Sequence, residues 1–163
     1  MKIGFLGTGN MGGALISGYA PQAKQDGNTL LAFDLNREKL MALTEKTGIS
    51  PCDSQEELIS QGDVVVLGIK PNLFPSLLPE IAPFFSAGKV VVSMAAGISI
   101  AYLESFLGKD VPIIRIMPNT PAMVGQGMTA VSRNKNVDDF TFSLIFRMLF
   151  SKYRFAFGTY LVN

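Results

Sequence analysis

Residues 4–13 read GFLGTGNMGG, five glycines in ten positions. A glycine inside a regular element costs roughly 0.5–1 kcal/mol relative to alanine, so such a cluster points to conformations or close approaches that a side chain would forbid. Lys2 to Leu6 reads as a short apolar strand, and Met11, Leu15, Ile16 and Tyr19 then recur at helical spacing. The string Gly7-Thr8-Gly9-Asn10-Met11-Gly12 therefore falls where a strand turns into a helix, and it matches G-x-G-x-x-G. On such a turn Gly7 permits the tight bend, Gly9 lets a pyrophosphate reach the backbone amides, and Gly12 lets helix and strand pack closely. The helix N-terminus supplies the anion site. The expected ligand is a dinucleotide.

Working outward, Leu30 to Asp34 reads as a second strand and Arg37 to Thr47 as a helix that Gly48 stops. Ser54-Gln55-Glu56-Glu57 has capping-box spacing. DVVVLGI (63–69), KVVVSMA from Lys89 and VPIIRIM from Val111 are further strands, with a helix over Ser99 to Leu107 before Gly108. Near-continuous apolar strands imply a sheet covered on both faces, and their alternation with helices implies parallel pairing through right-handed crossovers. The expected fold is α/β: a Rossmann-like, doubly wound, mostly parallel sheet with helices on both faces, in a single dinucleotide-binding domain over residues 1–163.

Asp34 stands 34 − 12 = 22 positions beyond Gly12, near the roughly 20-residue spacing of the group that meets the adenosine ribose. A carboxylate there favours the 2′-hydroxyl of NAD. Asn36, Arg37 and Lys39 follow directly and could hold the 2′-phosphate of NADP, so both coenzymes stay open.

Composition excludes several other chemistries. The net charge is +1, which gives no electrostatic footprint for nucleic acid or an anionic membrane. Hydrophobic residues make up 48% of the chain, yet no apolar run approaches the roughly 18 residues of a membrane span. No secretory leader pattern is present, and the lone Cys52 cannot form an internal disulfide, so a cytoplasmic location is expected. Histidine is absent, which removes imidazole as base, acid or ligand, and no protein-bound metal is expected.

GIKPNLF (68–74), VVSMAAGISI (91–100) and RIMPNTPAMVGQGMTA (115–130) all follow strand ends. Ligands of open α/β sheets sit outside the carboxyl ends of strands, so these segments are expected to line one crevice with the glycine turn. Pro118 and Pro121 bracket Asn119-Thr120 and stiffen that loop. Lys70 is expected to present its backbone rather than act as general acid, and Arg115 to be structural.

With these motifs the chain resembles the pyrroline-5-carboxylate reductases. The residues that carry the likeness are 3–14, Gly68 to Pro71, Ser93 to Gly97, and the Arg-x-Met-Pro-Asn-Thr-Pro run from Arg115. Gly12-Gly13 and Asp34 depart from the family's usual pattern. The resemblance implies hydride transfer from NADPH or NADH to a small cyclic imine, giving L-proline. It places Gly9, Asn10 and Met11 on the diphosphate and Ile69 beside the coenzyme. Lys70, Pro71, Ala95, Ala96, Asn119, Thr120 and Pro121 would lie on the nicotinamide and substrate side. It also implies a helical C-terminal domain that makes a homodimer and is absent here, so this chain is expected to bind coenzyme better than it catalyses. Two other readings stand beside it: a reductase of another small imine or carbonyl, and a non-catalytic nucleotide-binding regulatory module. FTFSLIFRMLF (140–150) is apolar on nearly all sides and is expected to cover the sheet, with part left for self-association.

Overall fold

In the computed structural model, which describes residues 1–86, 88–118 and 129–150, strands and helices alternate from the first residues onward. The order is β1 (Lys2–Leu6), α1 (Asn10–Gln25), β2 (Thr29–Phe33), α2 (Arg37–Thr47), β3 (Ser50–Pro51), α3 (Gln55–Gln61) and β4 (Val64–Leu67). Then follow α4 (Phe74–Ile81), β5 (Val90–Ser93), α5 (Ile100–Leu107), β6 (Ile113–Pro118), β7 (Thr129–Arg133) and α6 (Asp139–Phe150). The seven strands form one sheet in the order β3-β2-β1-β4-β5-β6-β7. Every pairing is parallel except β6 with β7.

Period-two alternation sends successive side chains to opposite faces, and here both faces are dry. Val64, Val66, Val92 and Ile114 pack with Leu15, Ile16 and Tyr19 of α1, Leu40 of α2 and Ile145 of α6. Val65, Leu67, Val91 and Ile113 pack with Leu58 of α3, Leu78 of α4 and Leu103 of α5. The valine runs of β4 and β5 carry no polar side because neither face meets water.

Local chemistry sets the helix ends. The side-chain oxygens of Asn36, Ser54 and Ser99 accept from the amides of Lys39, Glu57 and Tyr102, while Gly48 at φ +73° closes α2. The expected box at α3 is half formed: Ser54 caps Glu57, but Glu57 Oε2 accepts from the amide of Asp53 rather than returning to Ser54.

Three elements go beyond the sequence expectation. Helix α4 forms despite Pro75 and Pro79, because Pro75 sits in its first turn, where an N–H has no partner, and because Phe74, Leu78 and Ile81 are buried at i, i+4, i+7. Strand β7 runs antiparallel to β6, with Arg115 opposite Ser132. Strand β3 is two residues long and ends in Pro51. Helix α6 contributes Ile145 to the core while Phe140 is 73% exposed.

Candidate functional site

Strand order reverses between β1 and β4, so the loops leaving these neighbours diverge and open a crevice at their carboxyl ends. The loops are tied to the sheet where they begin: the amide of Gly7 donates to Phe33 O at 2.9 Å, and that of Gly68 to Leu6 O at 2.8 Å. The two backbones meet so closely that side chains are forbidden. A Cβ on Gly7, whose φ is +96°, would lie 2.7 Å from Gly68 O; one on Gly68 would lie 2.8 Å from Gly7 O; one on Gly12 would lie 2.5 Å from Gly7 O.

Gly9 differs from all three. Among the described residues a Cβ there would meet nothing nearer than Gly68 O at 4.0 Å, and its φ of −56° is open to any residue. Packing explains Gly7, Gly12 and Gly68, but it does not explain Gly9. Gly9 is also the cap of α1 and offers no side-chain oxygen, so the amides of Asn10, Met11 and Gly12 lack both capping and intrahelical partners. No acidic residue occupies the first turn. Open space lies over donors at the positive end of a helix, as an anionic group requires.

This turn forms one wall of a cleft of about 620 Å³. Gly7, Gly9, Asp34, Asn36 and Lys39 line it, with Gly68, Ile69 and Lys70 from the loop after β4. Asn72, Leu73 and Ser76, from the 3-10 turn Pro71–Leu73 and the start of α4, line it too. The sequence reading placed Asn72 and Leu73 here with the 68–74 segment, and missed Ser76 with the helix that carries it. It also missed Gly68 as a packing partner of the turn, although a glycine directly behind a valine run was the available signal. Leu35, 82% exposed, stands at the rim.

The remaining candidates divide. Pro71 opens the 3-10 turn and is exposed; Ala95 is buried behind β5, and Ala96 is exposed. Arg37 turns away from the cleft, donating through Nη1 to Cys52 O at 2.7 Å and pairing with Asp53 at 2.9 Å. Arg115 lies on β6 with Nε buried and no acceptor for it among the described residues. Asn119, Thr120 and Pro121 lie outside the described residues.

Asp34 is committed within the protein. Its Oδ2 accepts from both the amide and the hydroxyl of Thr8, at 2.7 and 2.8 Å, and its Oδ1 accepts from the amide of Asn36 at 2.9 Å. Burial works to raise its pKa; the Thr8 and Asn36 amides, the Thr8 hydroxyl and the Lys39 charge outweigh it and hold it below its ordinary 3.8. A depressed carboxylate adds stability that is complete above its unfolded-state pKa and is lost as pH falls through the lower native value. Wild type is therefore expected to lose stability below about pH 4 more steeply than Asp34→Asn, measured by denaturant unfolding across that range. Parallel curves for the two proteins would remove Asp34 from the acid response.

The sequence pattern of the family described as "NADP oxidoreductase coenzyme F420-dependent" matches residues 2–97. The pyrroline-5-carboxylate reductase of Escherichia coli K12 is 37% identical over 133 residues, 82% of this chain and 49% of that protein. The Pseudomonas aeruginosa reductase is 35% identical over 136 residues, 83% of this chain and 50% of that protein. The chain spans about half the length of these relatives. Among solved structures, a Coxiella burnetii pyrroline-5-carboxylate reductase superposes with a TM-score of 0.88 at 28% identity, covering 97% of this chain and 58% of that one. The Plasmodium falciparum pyrroline carboxylate reductase, solved with NADP bound, gives 0.79 at 29% identity, covering 96% and 56%. No helix of the described residues is long and apolar enough to cross a membrane.

Proposed function

The chain belongs to the family described as NADP oxidoreductase, coenzyme F420-dependent, and from that premise we propose that its cleft binds NADPH or NADH. We further propose that the chain is the coenzyme-binding part of a reductase converting 1-pyrroline-5-carboxylate to L-proline. The substrate is taken from the relatives, whose 35–37% identity runs over four fifths of this chain. Residues 1–163 act as one coenzyme-binding domain, and the complete enzyme, as a cytoplasmic homo-oligomer, closes the substrate side.

One observation carries the coenzyme reading: nothing among the described residues requires Gly9 to lack a side chain, and the space so kept lies over amides that have no partner among those residues. Gly9 admits the diphosphate, and the amides of Asn10, Met11 and Gly12 hold it. Ile69 and Lys70 line the same cleft. Ala95 and Ala96, just after β5, are assigned to the nicotinamide side together with Lys70, Pro71, Asn119, Thr120 and Pro121, an assignment taken from the resemblance to the reductases. When bound, the reduced nicotinamide supplies the hydride. The protein positions donor and acceptor carbons about 3–3.5 Å apart and excludes water, tasks that require no histidine.

Titration of NADH and NADPH against the protein tests this directly. The chain has no tryptophan, so nicotinamide emission is read without an indole background. Saturable enhancement with at least one coenzyme is expected. A flat response with both would overturn the reading.

A further inference from the structure

On the α5 face of the sheet lies a second cavity, of about 700 Å³, that shares no lining residue with the coenzyme cleft. Strand alternation decides which side chains reach it. Arg115 is two residues on from Ile113, which packs with Leu103 and Leu107 of α5, so Arg115 stands on that face too, with Ser132 of β7 directly opposite. Ile100, Ala101 and Glu104 of α5 line the same space, as does Val137. Arg133, opposite Ile114, belongs to the other face, where it pairs with Asp139 and lies 4.8 Å from the centre of the Phe142 ring.

Two opposite charges line this cavity without meeting. The Arg115 guanidinium makes no hydrogen bond or ion pair among the described residues, and its Nε is shielded from solvent, so the outer Nη edge is the part left for an acceptor. Glu104 is held elsewhere: its Oε1 accepts from Asn134 Nδ2 at 3.0 Å, and Asn134 is itself fixed by Val111 O at 2.8 Å and by the amide of Ile113 at 3.0 Å. Glu104 Oε2 has no partner among the described residues. Lys135, exposed, makes no ion pair with it either. Partly desolvating a guanidinium and a carboxylate costs free energy that their mutual attraction would offset, and here the two are left apart.

We propose that this cavity binds a free α-amino acid with an apolar side chain. The outer edge of Arg115 takes the carboxylate in a two-pronged contact, Glu104 Oε2 accepts from the ammonium, and Ile100, Ala101 and Val137 meet the side chain. A simple anion would face Glu104 with like charge, and a simple amine would do the same to Arg115; a zwitterion answers both. The site is independent of the coenzyme reading and stands or falls without it.

The test is calorimetric titration of the 163-residue chain with L-leucine, repeated with isocaproate, which lacks the ammonium, and isoamylamine, which lacks the carboxylate. L-Leucine gives a saturable isotherm with a Kd in the millimolar range or tighter, and each truncated analogue binds at least about tenfold more weakly. Arg115→Met keeps the stem of the side chain and Glu104→Gln keeps the acceptor for Asn134; each weakens L-leucine at least about tenfold, as loss of one charge-assisted contact does. A structural role is separated by two further readouts. Because Arg115 has no acceptor, Arg115→Met breaks no hydrogen bond, and without ligand it melts no lower than wild type. The Arg115 Nε–H resonance, identified by its absence from that variant, shifts when L-leucine is added to wild type. Absence of saturable binding of L-leucine, isocaproate binding as tightly as L-leucine, or unchanged affinity in either variant overturns the assignment. If circular dichroism shows Arg115→Met unfolded, Glu104→Gln and the two analogues decide.

Discussion

Gly9→Val is expected to weaken coenzyme binding at least about a hundredfold, some 2.7 kcal/mol, while the protein stays folded. The loss follows from geometry. A branched side chain at the cap of α1 occupies the space over the amides of Asn10, Met11 and Gly12, and among the described residues the nearest atom to its Cβ is 4.0 Å away, so the new group displaces ligand rather than backbone. Valine is a poor cap compared with glycine, a cost of about 1 kcal/mol at most. Thermal unfolding should therefore move by no more than about 2–4 °C. Calorimetry with NADPH and a melting curve by circular dichroism measure the two halves. Retained affinity would show that the diphosphate does not use this corner.

Gly12→Val should do the reverse, damaging the fold first. Its Cβ would stand 2.5 Å from Gly7 O, a backbone atom that Gly68 hems in from the other side. Helix α1 must then lift from β1 and disturb the packing of Leu15, Ile16 and Tyr19. Overpacking of this kind costs about 3 kcal/mol, which lowers the melting temperature by about 6–12 °C for a chain of this size. A melting curve matching wild type would mean that the helix relaxes without cost. Together the two variants separate glycines kept for packing from the glycine kept for a ligand.

That separation could not be read from the sequence, where Gly7, Gly9 and Gly12 are equivalent letters of one motif. The motif and the alternation of apolar runs with helical spacing were enough for the doubly wound sheet, because burial on both faces imposes a pattern that one strand at a time reveals. Elements carried by non-local contacts were not legible. Helix α4 contains Pro75 and Pro79 and is stabilised by burying Phe74, Leu78 and Ile81 against the sheet, which local propensity does not report. Strand β7 is recognisable only through its pairing with β6. In the site, the two positions that spacing singled out, Asp34 and Lys39, line the cleft. Spacing could not foresee that Thr8, twenty-six residues earlier, takes up both lone pairs of Oδ2, or that Arg37 turns to Asp53.

Strand β3 carries a last consequence. The amide of Cys52 donates inward to Ala32 O at 2.8 Å, so by the alternation of a strand the nitrogen of Pro51 faces outward, and it has no hydrogen to donate. A foreign strand arriving at this flank finds a two-residue landing strip lacking its donor. Growth into a continuous ribbon of copies is thereby stopped at that end of the sheet, by a single imide ring rather than by charge.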